Sequence, residues 1–270
     1  MDILPTRIVR LKSLDEPVRL HATGDWHVGE AGCAETRLRE SMAKIAKDRR
    51  ALVLLMGDLG GFIAPDDRRW DAATVAEGLS IRDLSDWGHV LTSRIADIAK
   101  PVKSKVIGVL QGNHEDTYSS RHGVAITDHL AAAIGAPSLG YATMFTIRFQ
   151  TPKEHSDLTI FATHGSGGAA TTGGKLNRLT RCIQSVEANL VLMGHVHTLL
   201  STTVSRLYQD GMRIGSRDQL GVITGTYLKT YCQGHSGYGE KAGYSPVSLG
   251  HPCITIIPRT KQMSVQWLAS

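Results

Sequence analysis

An α/β fold of two packed β-sheets flanked by helices is predicted by three features of the sequence. In the first half, short apolar runs alternate with amphipathic segments, as strands and helices do in α/β proteins. One of these runs, residues 51–56, is apolar throughout and short enough for a strand buried on both faces. In the second half, strand-like runs follow one another, and a polar loop joins two of them as in an antiparallel pair.

The first half is predicted to contain three strands and three helices. The strands are residues 18–23, 51–56 and 105–110, and the helices are residues 34–50, 83–100 and 124–134. In the first helix, Leu38, Met42 and Ile45 recur at helical spacing with charged residues between them. Pro101 ends the second helix and Gly135 the third.

The second half is predicted to contain mostly strands. They are residues 141–150, 158–163, 190–193, 199–206, 219–226, 253–257 and 263–267, with one helix at residues 175–187. Residues 234–250 are rich in Gly, Ser and Tyr, and we expect a long functional loop there. Whether Tyr231, His235, Tyr238 and Tyr244 form the lip of a pocket is left open by the sequence.

The composition predicts one globular domain that spans residues 1–270. Hydrophobic residues make up 41% and charged residues 20%, which is ordinary for a globular protein. No apolar run reaches the roughly 18 residues that cross a bilayer, and residues 1–5 do not resemble a secretory signal. The 4 cysteines are scattered and form no Cys-x-x-Cys pair. We therefore expect a cytoplasmic protein with no membrane partner.

The net charge of +5 is compatible with an anionic partner. However, the Lys and Arg residues are dispersed, with doublets such as Arg49-Arg50 and no long basic tail. A solvated surface that helps to attract a phosphorylated substrate is therefore favoured over a dedicated nucleic-acid groove.

Five short motifs carry side chains that bind metals, and most of them follow an apolar run. In chain order they are Asp25-Trp26-His27, Gly57-Asp58, Gly112-Asn113-His114-Glu115, Thr163-His164-Gly165 and Gly194-His195-Val196-His197. Because parallel strands end at the same edge of a sheet, these residues are expected to meet there. Carboxylate, amide and imidazole ligands suit Mn, Fe, Zn, Co or Ni better than metals that prefer thiolates.

The spacing within two of the motifs predicts how their side chains are presented. Asp25 and His27 are two residues apart, so both are expected to leave an extended segment on the same side. The same spacing gives the same expectation for His195 and His197.

The motif order D-x-H, G-D, G-N-H-[DE], H, G-H-x-H resembles that of the calcineurin-like metallophosphoesterases. The resemblance runs from Asp25 to His197 and implies the family's four-layer αββα fold, a dinuclear metal centre and hydrolysis of phosphoric esters. It implies that Asp58 bridges the two metals. By the motifs, one metal takes Asp25, His27, Asp58 and His197, and the other takes Asp58, Asn113, His164 and His195. Two Mn ions are the expected cofactor, with Fe, Zn, Co or Ni as alternatives.

The same resemblance implies the roles of two further residues. His114 follows the ligand Asn113 and is expected to protonate the leaving oxygen, while a metal-bridging hydroxide attacks phosphorus. Glu115 is expected to accept a hydrogen bond that orients a histidine. Two divalent ions carry more positive charge than Asp25, Asp58 and one hydroxide neutralise. The site should therefore keep a net positive charge and attract phosphate.

The glycine-rich segment from Gly165 to Lys175 does not match a nucleotide-binding loop. The stretch between Gly168 and the Gly174-Lys175 pair is one residue longer than such a loop allows, and Leu176 stands where Ser or Thr is required. Lys175 and Arg178 remain candidates for contacting substrate phosphate, against the alternative that they belong to a solvated helix start.

The segment Gly57-Asp58-Leu59-Gly60-Gly61 lacks the arginine that Ser/Thr protein phosphatases of the superfamily carry there. The chain is therefore more similar to the compact bacterial and phage-type members. The expected function is a phosphodiesterase acting on nucleotides or nucleic acid. A phosphomonoesterase acting on nucleotides or proteins, and a non-catalytic interaction module with the same fold, remain as alternatives.

Overall fold

Two β-sheets carry the fold in the computed structural model, which describes residues 6–234 and 236–269. The strands are β1 (Arg7–Arg10), β2 (Val18–Thr23), β3 (Ala51–Leu55), β4 (Val106–Val109), β5 (Ala142–Gln150), β6 (His155–Thr163), β7 (Leu190–Met193), β8 (Leu199–Asp210), β9 (Arg213–Thr224), β10 (Gly250–Ile257) and β11 (Gln262–Ala269). The helices are α1 (Glu35–Ala46), α2 (Trp87–Ala99), α3 (Asn113–His122), α4 (Ile126–Ile134), α5 (Thr172–Ser185) and α6 (Tyr238–Lys241). Short 3-10 helices span Ala72–Thr74, Ile81–Asp86 and Lys100–Lys105.

The sheets pack face to face, and helices cover both outer faces. One sheet has the order β1-β5-β6-β7-β9-β8 and the other the order β11-β10-β2-β3-β4. Leu54 of one sheet and Ile160 of the other lie in the apolar core between them. Met42 of α1 and Leu91 of α2 pack on the outer face of the five-stranded sheet, and Ile183 of α5 packs on the other sheet. The predicted α/β fold with an αββα order of layers is confirmed.

Parallel pairing gathers the strand ends that matter for function. In the five-stranded sheet β2, β3 and β4 are parallel neighbours, and in the other sheet β6, β7 and β9 are. All five residues of β3 are buried, as its unbroken apolar run predicts. The carboxyl ends of these strands lie at the same edge of each sheet, and each of the five motifs follows or ends such a strand.

Among the described residues, three of the strands and α-helices were not predicted: β1, α3 and α6, a short helix within the segment expected to be a loop. β1 places Ile8 and Val9 between Arg7 and Arg10, is mostly exposed, and lies at the edge of its sheet beside β5. α3 begins at Asn113, inside the third motif, and buries only His114 and Glu115, so it lacks the apolar stripe that marks most helices.

Several element ends also differ from the predictions. The helix predicted over residues 34–50 ends at Ala46, and the one predicted over residues 83–100 begins as a 3-10 turn before α2. β8 and β9 are longer than predicted, because their exposed halves form a hairpin in which polar and apolar residues mix. None of the helices that the structure describes has the length and apolar character needed to span a bilayer.

A buried histidine pair links β2 and β10 behind the predicted metal ligands. His21 Nδ1 lies 3.2 Å from His251 Nε2, and the Tyr227 hydroxyl lies 2.7 Å from His251 Nδ1. Burial lowers the pKa of His21 to about 4 and that of His251 to about 3. Both imidazoles are therefore neutral in the folded chain at pH 7. The Tyr227 amide also donates to the Asp25 carbonyl at 3.0 Å, so this cluster supports the first motif.

The pair predicts a specific loss of stability in acid. Below about pH 6.5 an unfolded histidine binds a proton that buried His21 and His251 do not accept. Unfolding then takes up protons, so the free energy of unfolding should fall with decreasing pH, by about 1.4 kcal/mol per pH unit for each histidine. In urea unfolding curves between about pH 5 and 6, His251→Gln should remove one histidine's share of that slope. His129→Gln, exposed on α4, is the control; an unchanged slope in His251→Gln would contradict the assignment.

Candidate metal centre

The structure brings the seven predicted ligands together where the two sheets meet at their carboxyl edges. They form two groups of ligand atoms, and within each group the atoms lie within 4.8 Å of one another. The first group, called here the first subsite, is Asp25, His27 and His197. The second group, the second subsite, is Asp58, His164 and His195, to which Asn113 is added by a contact described below. Their binding of metal stays a prediction.

In the first subsite, lone pairs face one another at short range. His197 Nε2 lies 3.2 Å from Asp25 Oδ1 and 3.2 Å from His27 Nε2. His27 Nδ1–H donates to Glu30 Oε1 at 2.8 Å, which leaves Nε2 as the coordinating nitrogen. Asp25 Oδ1 is buried and has no hydrogen-bond partner among the described atoms. A buried carboxylate oxygen without a partner is costly unless a cation binds it.

The second subsite has the same character. His164 Nδ1–H donates to the Met56 carbonyl at 2.8 Å, so Nε2 faces the site. That nitrogen lies 3.2 Å from Asn113 Oδ1 and 3.2 Å from Asp58 Oδ2. Burial opposes protonation, but the Asp58 carboxylate raises the pKa of His164 to about 10. Three electron-rich atoms therefore meet at a point that attracts a proton or a metal ion.

Asp58 is shared between the second subsite and the start of α3. Its Oδ1 accepts the amide hydrogen of His114 at 2.9 Å, while Oδ2 faces His164. Burial opposes its ionisation, but His164 and His114 hold the pKa of Asp58 well below its ordinary value. Asp58 is thus an ionised carboxylate in a buried setting, as a bridging ligand would need to be.

Five of the seven predicted ligands have a left-handed backbone. Asp25, His27, Asp58, His195 and His197 have φ values between 46° and 69°. The expectation that the two-residue spacing would present side chains from an extended segment is therefore wrong. Such a backbone costs a non-glycine residue about 1 kcal/mol or more and is concentrated at functional sites. A sequence carries no signal for this strain, since Asp and His also occur in ordinary conformations.

Glu115 is expected to bond and orient a histidine, but the hydrogen bonds of its carboxylate go to main-chain amides beside Asp58. Its carboxylate accepts amide hydrogens from Asp58 at 2.9 Å, Leu59 at 2.8 Å, Gly60 at 3.4 Å and Gly112 at 3.0 Å. Burial, and then the Asp58 charge, raise the pKa of Glu115 to about 7. The residue orients a ligand, but through the main chain of Asp58.

His114 is buried beside the first subsite, with its ring edge-on to that of His27 and the ring centres 4.7 Å apart. Its Nδ1–H donates to the Gly61 carbonyl, which leaves Nε2 as the nitrogen that a substrate can meet. Burial opposes protonation, but the Asp58 and Glu30 carboxylates raise the pKa of His114 above its ordinary value. A protonated His114 can act as a proton donor.

Lys175 and Arg178 both bond to other parts of the chain. Lys175 Nζ donates to Thr198 Oγ1 at 2.8 Å. Arg178 donates to the carbonyls of Ser166 at 2.8 Å and Gly168 at 2.7 Å, and so fastens the loop after His164. Contact with substrate phosphate stays a prediction for both. For the suggested pocket lip, His235 and the side chain of Tyr238 lie outside the described residues.

Sequence reasoning missed Glu30 and the support behind Asp25. Glu30 follows His27 by three residues, a spacing that allows its carboxylate to hydrogen-bond the histidine. No other feature of the sequence pointed to Glu30. The Thr226 hydroxyl donates to the Asp25 carbonyl at 2.8 Å from a distant strand end, which only the fold brings near.

The donor set fits divalent metal ions. The Nδ1–H groups of His27 and His164 each donate a hydrogen bond to an acceptor outside the site, so both rings present Nε2 to the site. Such partners are what fix the orientation of metal-binding histidines. The oxygen and imidazole donors suit Mn, Fe, Zn, Co or Ni.

Several solved structures are similar to this chain at low identity. A Streptococcus pneumoniae TIGR4 protein described as a predicted phosphoesterase is 13% identical, with 94% of this chain and 99% of that chain covered and a TM-score of 0.34. A putative 5′-nucleotidase from Staphylococcus aureus is 10% identical, with 93% and 53% covered and a TM-score of 0.46, so this chain spans about half its length. The calcineurin-like phosphoesterase YfkN from Bacillus subtilis is 10% identical, with 76% and 90% covered and a TM-score of 0.40.

No protein-family model matches the chain, and no curated protein does. The similarity to these solved structures is too low to carry a conclusion, so the chemistry has to be argued from the side chains of this chain.

The close approach of Gly112 to Asp58 gives a test of the site. A Cβ on Gly112 would lie 2.1 Å from Asp58 Oδ1 and 2.2 Å from Asp58 N, so Gly112→Ala must displace the carboxylate. We expect at least a tenfold weaker binding of Mn²⁺ in equilibrium dialysis, the lower end of the effect of losing support around a metal ligand. Gly173→Ala in α5, where a Cβ would meet nothing within 4 Å, is the control. Equal binding by both variants would show that Asp58 does not hold metal.

Proposed function

We propose that this chain is a calcineurin-like phosphoesterase that uses two divalent metal ions, with phosphodiesters of nucleotides or nucleic acid as its substrates. The observation that carries the proposal is the pair of subsites, with ionised Asp58 in the second and His114 beside the first. An interaction module that only keeps the fold would not need a strained backbone at five ligand positions.

Manganese is the proposed metal, and both subsites offer ligands that suit it. Asp25, His27 and His197 would hold one ion, Asn113, His164 and His195 would hold the other, and Asp58 would be a ligand shared by both. When bound, such ions polarise phosphoryl oxygens and make hydroxide available near neutral pH. The remaining steps belong to the chain's own residues.

His114 supplies the proton that the leaving oxygen needs. The Gly61 carbonyl fixes Nδ1–H, so the proton on Nε2 is the one that can be transferred. Asp58 and Glu30 favour the protonated imidazole, and burial keeps bulk water from competing for it. Proton transfer of this kind contributes roughly 10²- to 10⁴-fold to a rate.

The charges around His114 favour a diester over a monoester. A phosphate diester carries one negative charge less than a fully ionised monoester. The segment from Asp58 to Gly61 contains no arginine, and the Gly61 carbonyl lies beside His114. Arg69 is the nearby positive charge, and it is ion-paired with Asp67 at 2.8 Å. Glu30, whose carboxylate belongs to the same cluster as His27 and His114, adds a negative charge. A dianionic monoester would meet more repulsion here than a diester.

A phosphomonoesterase, acting on nucleotides or on Ser/Thr phosphoproteins, is the second candidate. The half-buried Lys175 and Arg178 favour it, since they lie on α5 near the loop that follows His164. A cytoplasmic location is part of the proposal, because the 4 cysteines are all free thiols.

Substrate preference is the direct test of the proposal. Metal-stripped protein resupplied with Mn²⁺ should hydrolyse bis-p-nitrophenyl phosphate faster than p-nitrophenyl phosphate, because the diester lacks the second negative charge. The same protein without added metal is the control and should be inactive. Faster hydrolysis of the monoester would favour the second candidate, and a chain that binds no metal would rule out the enzyme.

The role of His114 is tested by its removal. His114→Ala should lower kcat on the diester by at least about 100-fold while two metals stay bound, because the proton donor is lost and the ligands are not. His129→Ala, at an exposed position of α4, should retain full activity. Near-normal turnover by His114→Ala would exclude it as the proton donor.

A further inference from the structure

The two subsites differ in what lies behind their histidines. His27 Nδ1–H donates to the carboxylate of Glu30 at 2.8 Å, whereas His164 Nδ1–H donates to the main-chain carbonyl of Met56 at 2.8 Å. An ionised acceptor makes a stronger hydrogen bond than a neutral one. It draws the Nδ1 proton more strongly and so makes Nε2 a better electron donor to a metal.

The position of Glu30 is built into the fold. Its amide donates to the His27 carbonyl at 3.1 Å, which closes the turn after the first motif. Its side chain, 22% exposed, fills space that Gly61 leaves open, since a Cβ on Gly61 would lie 2.9 Å from Glu30 Oε1. Through this packing the carboxylate is held against His27 and not left to solvent.

The negative charge of Glu30 also favours metal binding at the first subsite. Its carboxylate bonds directly to His27, a ligand of the first subsite, whereas the acceptor bonded to His164 Nδ1–H in the second subsite is the uncharged Met56 carbonyl. A divalent ion at the first subsite therefore feels one additional nearby negative charge.

We propose that Glu30 is a positioning residue for His27 that makes the first subsite the tighter of the two, so that the metal ions bind in sequence. This inference rests on the proposed dinuclear function.

The test is calorimetric titration of metal-stripped protein with Mn²⁺. Wild type should bind two equivalents in two resolved steps. Glu30→Gln keeps the size of the side chain but removes its charge, and should weaken the tighter step by about 10- to 100-fold while the weaker step stays unchanged. Glu30→Asp keeps the charge with a shorter reach and should give an intermediate affinity.

Glu35→Gln is the matched control, since Glu35 forms ion pairs with Arg39 of α1 and Arg94 of α2 and not with a predicted ligand. It should leave both steps unchanged. Unaltered titration of both Glu30 variants, or weakening of only the weaker step, would overturn the role of Glu30 while leaving the dinuclear proposal standing. A wild-type chain that binds no Mn²⁺ would overturn both.

Discussion

The whole candidate site depends on how the end of β3 is fastened to the start of α3. Glu115 accepts amide hydrogens from Asp58 and Gly112, and the His114 amide returns a hydrogen bond to the Asp58 carboxylate. Gly57 and Gly112 lie so close that a Cβ on Gly57 would be 2.6 Å from Gly112 N. This contact fixes the shared ligand, the proton donor and Asn113 with respect to one another, and the other motifs arrive around it.

Charge explains why such a cluster suits metal ions. Asp25, Asp58 and Glu115 are carboxylates with almost no exposure, and buried charges need partners. Protons supply part of that charge in the structure, since the pKa of His164 is raised to about 10 and that of Glu115 to about 7. Divalent ions would take over this role, because ligands must lose their protons to bind metal. The left-handed backbone at the ligands is stable only because the packed strand ends hold it.

The sequence predicts the αββα layers and the meeting of the motifs well, because both follow from local patterns. Apolar runs such as that of β3 mark buried strands, and polar residues directly after them mark the sheet edge. The role of Glu115 and the identity of Glu30 could not be predicted, since both depend on contacts between segments that only the fold brings together. α3 escaped prediction for a related reason: its buried residues serve the site and not the core.

The proposed chemistry depends above all on two metal ions that share Asp58. Anomalous diffraction from crystals of the chain loaded with Mn²⁺ tests it directly, since each ion gives its own peak. We expect two peaks per chain, one among Asp25, His27 and His197 and one among Asn113, His164 and His195, with Asp58 in contact with both. A single peak, or two peaks of which only one touches Asp58, would contradict it.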